Sequence, residues 1–226
     1  MIIPTYNINN STRDLSLLKA HWIQRAQREA ILRSLRDSFE LYLGATEYLS
    51  MAMILFQPKM AEVINASKGK LLWAYSAEAL FDSAALLIFN LYDPGNNQFK
   101  NLTSIQKQIN LLPPTNTKKT DWNLDPSTDL QDSLLRIENR RNKNISHHER
   151  AGHNPIEWGD LVLALEYARK YMQRFHIDFM ETDYDIPDIN NRAKQLSQVI
   201  FAAVGIEDKS DRELVFSQFE EFTSKL

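Results

Sequence analysis

Residues Lys70 to Tyr92 read KLLWAYSAEALFDSAALLIFNLY, and the run is closed by Asp93-Pro94-Gly95-Asn96-Asn97. Its large apolar residues, from Leu71, Leu72, Trp73 and Tyr75 to Ile88, Phe89 and Leu91, fall on every side of a helix, and a helix that is apolar all round belongs at the centre of a fold. The run therefore predicts a central helix that needs other helices around it. Asp82 within it reads as a partly exposed carboxylate or as the partner of a buried arginine.

The rest of the chain offers those helices. Leu15, Leu18, Trp22, Ile23, Ala26, Ala30, Leu32 and Leu35 recur at helical spacing and continue through Phe39, Tyr42, Leu43, Leu49 and Met53, which predicts one long helix, bent near Gly44 and ending at Pro58. A short helix over 59–67 follows. Thr103 and Gln106 have capping-box spacing for a helix to about Leu111. Asp125 and Pro126 stand as N-cap and first residue of a helix reaching about His148. Asn154, Pro155 and Glu157 open another through Leu161, Leu165, Tyr171 and Phe175, antiparallel to the one before it. Two helices, Ile189 to Val204 and Ser210 to Phe222, close the chain, the second with Ser210 and Glu213 as a capping box. Trp22, Trp73 and Tyr75 fall at core positions. No strand pattern appears, and 6 Gly in 226 residues are too few for a turn-rich sandwich. The expected fold is an all-α, up-and-down helical bundle over 1–180 with a C-terminal helical extension over 183–226 packed on it.

Charge and composition narrow the functions. A net charge of −3 disfavours a protein that coats duplex DNA, where affinity comes from many neutralised phosphates. With no Cys, disulfides, thiolate nucleophiles and thiolate zinc sites are excluded. The start, MIIPTYNINNSTRDL, lacks the pattern of a signal peptide, and no uninterrupted apolar run is long enough to span a membrane. A soluble cytoplasmic protein without membrane contact is expected.

One stretch does not fit a plain amphipathic helix. Leu134 to Glu149 reads LLRIENRRNKNISHHE. At 100° per residue, Leu134, Ile137, Ile145 and His148 fall within about 40° of Arg141. Arg140, Asn144 and His147 lie within about 120° on one side of it. Two arginines, two histidines and Asn144 thus share a wedge continuous with the apolar stripe, and buried charge needs a partner, either an anion or a symmetry mate. The residue types suit phosphodiester chemistry. An imidazole takes or returns a proton near neutral pH, and a guanidinium grips a phosphate with parallel hydrogen bonds. Asn142 adds an amide donor or fixes its neighbours. This chemistry calls for no metal and no other cofactor.

Arg141-Asn142-Lys143-Asn144-Ile145-Ser146-His147 resembles the R-N-x(4)-H motif of HEPN domains. Together with the FDSAALLIFNLYD ending of the apolar helix, the pattern over roughly 15–180 is similar to the abortive-infection U second-protein-like branch of that family. The resemblance implies a HEPN-like helical bundle, a homodimer with two motifs at one cleft, and a metal-independent endoribonuclease of toxin or phage-defence type. It implies that Arg141 contacts the scissile phosphate, that Asn142 is the polar second residue, and that His147 works in acid/base catalysis. Arg140, Asn144 and His148, which share the wedge, are the auxiliary or phosphate-binding candidates. RNA, either tRNA or mRNA, is the implied substrate, with an antitoxin protein as a further partner. Seven-residue spacing aligns Arg141 with His148 and Arg140 with His147 on a helix, so either histidine can be the working one.

Plainer readings stand beside this one. Cations at a helix C-terminus complement its dipole without any catalytic role. A non-catalytic HEPN scaffold binding RNA, a nucleotide or a protein fits the acidic balance. His147, His148, Glu149 and His153 lie close together but lack the i, i+4 histidine pair of a helical zinc protease. His21 and His176 read as surface or packing residues.

Overall fold

The computed structural model describes residues 25–93, 101–112, 123–142, 156–176 and 185–226, and among them the chain is all-α. The described residues form eight helices, in order α1 (Arg25–Leu55), α2 (Pro58–Ala66), α3 (Lys70–Tyr92), α4 (Leu102–Asn110), α5 (Thr128–Arg140), α6 (Trp158–Phe175), α7 (Ile189–Val204) and α8 (Lys209–Thr223). They pack as a helical bundle.

The centre is α1, not α3 as the apolar run suggested. α1 has 31 residues, about 46 Å at 1.5 Å per residue, and it packs against α3, α4, α6, α7 and α8. Its core face includes Ile31, Tyr42, Ala45, Leu49 and Met53, interleaved with the buried hydroxyl residues Ser34, Ser38, Thr46 and Ser50. Ser34 Oγ donates to Ala30 O at 2.9 Å and Thr46 Oγ1 to Tyr42 O at 2.8 Å, so these side chains enter the core by bonding the backbone one turn back. Ser50 instead donates to Ile189 O at 3.2 Å and ties α7 down.

The helical pattern continues without a break through Gly44. A Cβ at Gly44 would stand 3.0 Å from Leu87 Cδ1, so the residue serves the close crossing of α1 and α3.

Only part of α3 is enclosed. Ala77, Ala84, Ala85, Ile88 and Leu91 are buried, whereas Leu71, Leu72 and Tyr75 are 66, 68 and 68% exposed. Tyr75 is therefore not a core residue, Trp73 is half-buried, and Trp22 lies outside the described residues. α3 has 23 residues and an 18-residue stretch of mean hydropathy 1.4, so by length and composition it is long and apolar enough to cross a membrane, although here its C-terminal half packs on α1.

Four helix starts differ from the sequence expectation. α4 is capped by Asn101, which forms the capping box with Ser104, and Asn101 Nδ2 also donates to Asn90 O at 2.8 Å and Asp93 O at 2.7 Å at the end of α3. Ser127, not Asp125, caps α5, although the Leu130 N–H reaches its Oγ only at 3.4 Å. Glu157 caps α6 with Asp160 completing the box, while Asn154 and Pro155 lie outside the described residues. Asp208 rather than Ser210 caps α8.

α5 and α6 run antiparallel. Asp160 near the start of α6 meets Ser133 and Arg136, while Tyr167 farther along bonds the backbone of Asp125 ahead of α5. α7 packs on α1 and ends at Gly205, whose φ of 85° favours glycine. α8 then turns back along α2, with the Lys59 N–H donating to Gln218 Oε1 at 3.0 Å.

Candidate functional site

α5 carries Leu130, Ser133 and Ile137 inward, each fully or nearly buried, with Leu134 half-buried beside them. This face seats α5 between α3 and α6. Past Arg140 the α-helical pattern ends, and Arg141 and Asn142 continue in a wider, π-type turn, a geometry frequent at functional sites. Of the six site residues expected from the sequence, Arg140, Arg141 and Asn142 are described. Asn144, His147 and His148 lie outside the described residues, as does the Glu149 and His153 part of the alternative metal cluster.

The two arginines turn toward α3 and meet different partners there. Arg140 Nε and Nη2 both donate to Asp82 Oδ1, at 3.0 and 2.8 Å, and Glu78 Oε1 stands 4.0 Å from Nη2. Both readings of Asp82 apply, since its side chain is 27% exposed and it partners an arginine that is 19% exposed. Arg140 thereby pins the end of α5 to the middle of α3.

Arg141 instead lays its guanidinium 4.7 Å above the centroid of the Phe89 ring, and its Nη1 donates to Asn142 Oδ1 at 2.7 Å. Among the described residues it makes no ion pair. Asn142 thus orients its neighbour through its amide oxygen. An aromatic face holds a guanidinium while leaving in-plane N–H directions for an anion.

Beside this ring lies a groove of about 390 Å³, walled by Phe89, Tyr92, Leu134, Leu135 and Ile137 and rimmed by Asp93, Gln131 and Glu138. Tyr92 anchors its floor. The hydroxyl donates to Ala164 O at 2.6 Å, and burial pushes the phenol well above its usual range. The groove joins apolar walls to carboxylate acceptors, with Arg141 over one wall.

A second charged junction on α5 was not anticipated from the sequence. Asp160 is 4% exposed and receives the Arg136 Nε at 3.0 Å on each carboxylate oxygen, a further short bond from Arg136 Nη2, Ser133 Oγ at 2.9 Å and the Glu157 N–H at 2.9 Å. Burial pushes this carboxyl up, but the bonds from Arg136, Glu157 and Ser133 outweigh burial and hold it below the usual aspartate range. The same contact raises Arg136. The available signal was the Glu157-x-x-Asp160 spacing together with Ser133 and Arg136 one turn apart on α5.

Trp158, at the start of α6, packs edge-on against Phe56, Phe81 and Phe222, with ring centroids at 5.3, 4.6 and 6.0 Å, and so joins α3, α6 and α8 to the turn after α1. His176 follows α6 half-buried, and burial lowers its pKa, in keeping with a packing role. Among the described residues no group of three or more His, Asp or Glu is placed to hold a metal ion. No family model, curated protein or solved structure matches this chain.

Proposed function

We propose that the chain is a metal-independent endoribonuclease of toxin or phage-defence type, built on a HEPN-like bundle and acting as a homodimer. The observation that carries the reading is Arg141, a guanidinium supported by an aromatic ring and by Asn142, with no ion pair among the described residues, six positions before His147. A charge held this way is suited to a ligand anion. In the proposed reaction, Arg141 binds the scissile phosphate and gains strength as charge builds on its oxygens. A motif histidine takes the proton of the 2′-hydroxyl, whose oxygen attacks phosphorus. The 5′ oxygen leaves with a returned proton, giving a 2′,3′-cyclic phosphate. Arg140, held by Asp82, acts by fixing the turn that carries Arg141 and Asn142.

The test is cleavage of total RNA and of tRNA in EDTA, with product ends assayed for cyclic phosphate. Arg141→Ala is expected to slow cleavage by about 10²–10³, as loss of one preorganised donor does elsewhere. His147→Ala should slow it at least as much, unless His148 is the working residue, in which case His148→Ala does so. Intact RNA after incubation with folded wild type would rule the enzyme out.

The acid rim of the groove favours a second reading, a non-catalytic scaffold that binds a nucleotide, RNA or protein, because Asp93 and Glu138 repel a phosphate chain while accepting hydrogen bonds from donor-rich groups. That reading requires Arg141→Ala to weaken binding with no cleavage to lose.

A further inference from the structure

The groove beside Arg141 takes one wall from each of two helices. On α5, Gln131, Leu135 and Glu138 stand at i, i+4 and i+7, so two polar residues bracket an exposed leucine along one stripe. On α3, Phe89 and Tyr92 supply aromatic rings, and Asp93 stands at the rim. Tyr92 is fixed by its hydroxyl bond to Ala164 O at 2.6 Å. At about 390 Å³ the groove has the size of a small-ligand site.

Its polar side chains offer acceptors. Glu138 makes no ion pair among the described residues, and Asp93 adds a second carboxylate. Gln131 donates its Nε2 to Pro126 O at 2.9 Å and keeps Oε1 as an acceptor. An ionised carboxylate accepts and never donates, so the groove suits a flat apolar body with a donor edge. Arg141 stands one turn past Glu138, with its guanidinium 4.7 Å from the centroid of the Phe89 ring. A seat for an anion thus adjoins a seat for donors between apolar walls. A nucleotide has both parts, a phosphate for the arginine and a base for the groove.

The four bases are unequal partners for a carboxylate. Guanine presents N1–H and N2–H side by side, so one carboxylate can accept both. Adenine and cytosine present an amino group beside a ring-nitrogen acceptor, and uracil presents a single N–H between two carbonyls. In those three, an acceptor is pressed against the carboxylate charge. Unpaired RNA bases are recognised by stacking on aromatic side chains and by bonds to the Watson–Crick edge. We propose that the groove is a guanine pocket for single-stranded RNA, in which Glu138 accepts N1–H and N2–H while Arg141 holds the adjoining phosphate. RNA at Arg141 is taken from the ribonuclease reading, on which this assignment rests, and cleavage beside guanosine follows from the two together.

The test is binding, read by fluorescence anisotropy in EDTA, of five labelled octanucleotides with 2′-fluoro sugars, which cannot undergo 2′-hydroxyl attack. Each is oligouridine with guanosine, inosine, adenosine, cytidine or uridine at one central position. The guanosine strand is expected to bind about tenfold more tightly than the adenosine, cytidine and uridine strands, with inosine, which lacks the N2 amino group, between them. Glu138→Gln should reduce that ratio to about twofold or less, while Asp132→Asn, at an exposed acid elsewhere on α5, leaves it unchanged. Arg141→Ala should weaken all five strands and keep the ratio. Equal affinity for all five, inosine bound like guanosine, or a preference that survives Glu138→Gln would overturn the inference, whether or not natural RNA is cleaved. Guanosine monophosphate bound as tightly as the guanosine strand would overturn the assignment to RNA. A guanosine preference with no cleavage of natural RNA would uphold the pocket and overturn the nuclease.

Discussion

Arg136 and Arg140 lie one turn apart on α5, and each reaches a carboxylate on a neighbouring helix, Asp160 of α6 for the first and Asp82 of α3 for the second. At Asp160 the carboxylate is nearly sealed and takes bonds from Arg136, Ser133 and the Glu157 backbone. At Asp82 both partners keep contact with water, and a single carboxylate oxygen takes both Arg140 bonds. The first junction is a structural clamp with its acceptors filled, and the second is a hinge point that holds a turn. One residue further, Arg141 has moved from carboxylate to aromatic face. Along α5 and just past its end, the arginine partner thus changes from a nearly sealed carboxylate to a partly exposed one and then to an aromatic ring, and the arginine on the ring begins the R-N-x(4)-H motif.

The sharpest break between the junctions should appear in stability. Asp160→Asn removes the charge opposite Arg136 and weakens the α6 capping box, and it is expected to cost about 2–3 kcal/mol in urea unfolding at neutral pH. The value sits below that of a fully buried pair because the Arg136 side chain is 35% exposed and water partly screens what remains. A cost under about 1 kcal/mol would place the two junctions on the same footing. Acid titration separates them further. Since the folded state holds the Asp160 carboxyl below its ordinary range, the unfolded chain takes up the proton first as pH falls. The wild type should therefore lose stability progressively below the ordinary aspartate range, and Asp160→Asn should lack that component.

Asp82→Asn tests the other side. With both partners partly in water, the loss is expected to be about 1 kcal/mol. The larger consequence should be functional. If Arg140 positions the motif turn, the variant loses RNA cleavage, or RNA affinity under the scaffold reading, out of proportion to its stability. Unchanged activity alongside the stability loss would make Arg140–Asp82 a plain ion pair.

The differences in legibility along the chain have physical causes. α3 and α7 could be bounded closely because each combines a dense apolar pattern with a firm stop, Asp93-Pro94 for one and Gly205 for the other. N-caps were less legible because the chain offers several capable residues in a row. Asn101 and Thr103 compete ahead of α4, and the choice falls to Asn101 because its amide also meets the carbonyls that end α3, a contact no local pattern contains. The central place of α1 was hidden by Ser34, Ser38, Thr46 and Ser50, which read as polar but are buried. The apolar face of α3 misled in the opposite direction, since Leu71, Leu72 and Tyr75 look outward. At the site, helical geometry brought Arg140 and Arg141 to the face that meets α3, but not the division of labour between them. That depends on Asp82 and Phe89 lying two turns apart on another helix.

The smallest expected effect concerns the ring beneath Arg141. Phe89→Leu keeps an apolar side chain against α5 and removes the π face, so stability should change by no more than about 1 kcal/mol. The guanidinium then loses its platform but keeps its charge and its bond to Asn142. Affinity for a short single-stranded RNA, measured by fluorescence anisotropy, is expected to fall roughly two- to fivefold, the equivalent of an exposed cation–π contact. Arg141→Lys should add a larger loss, because an ammonium on a flexible stem cannot present two parallel donors to a phosphate. The combination discriminates between electrostatic attraction and orientation. If Arg141→Lys binds RNA as tightly as wild type while Phe89→Leu has no effect, the positive charge alone matters. A graded loss from Phe89→Leu to Arg141→Lys instead means that the aromatic face works by aiming the guanidinium.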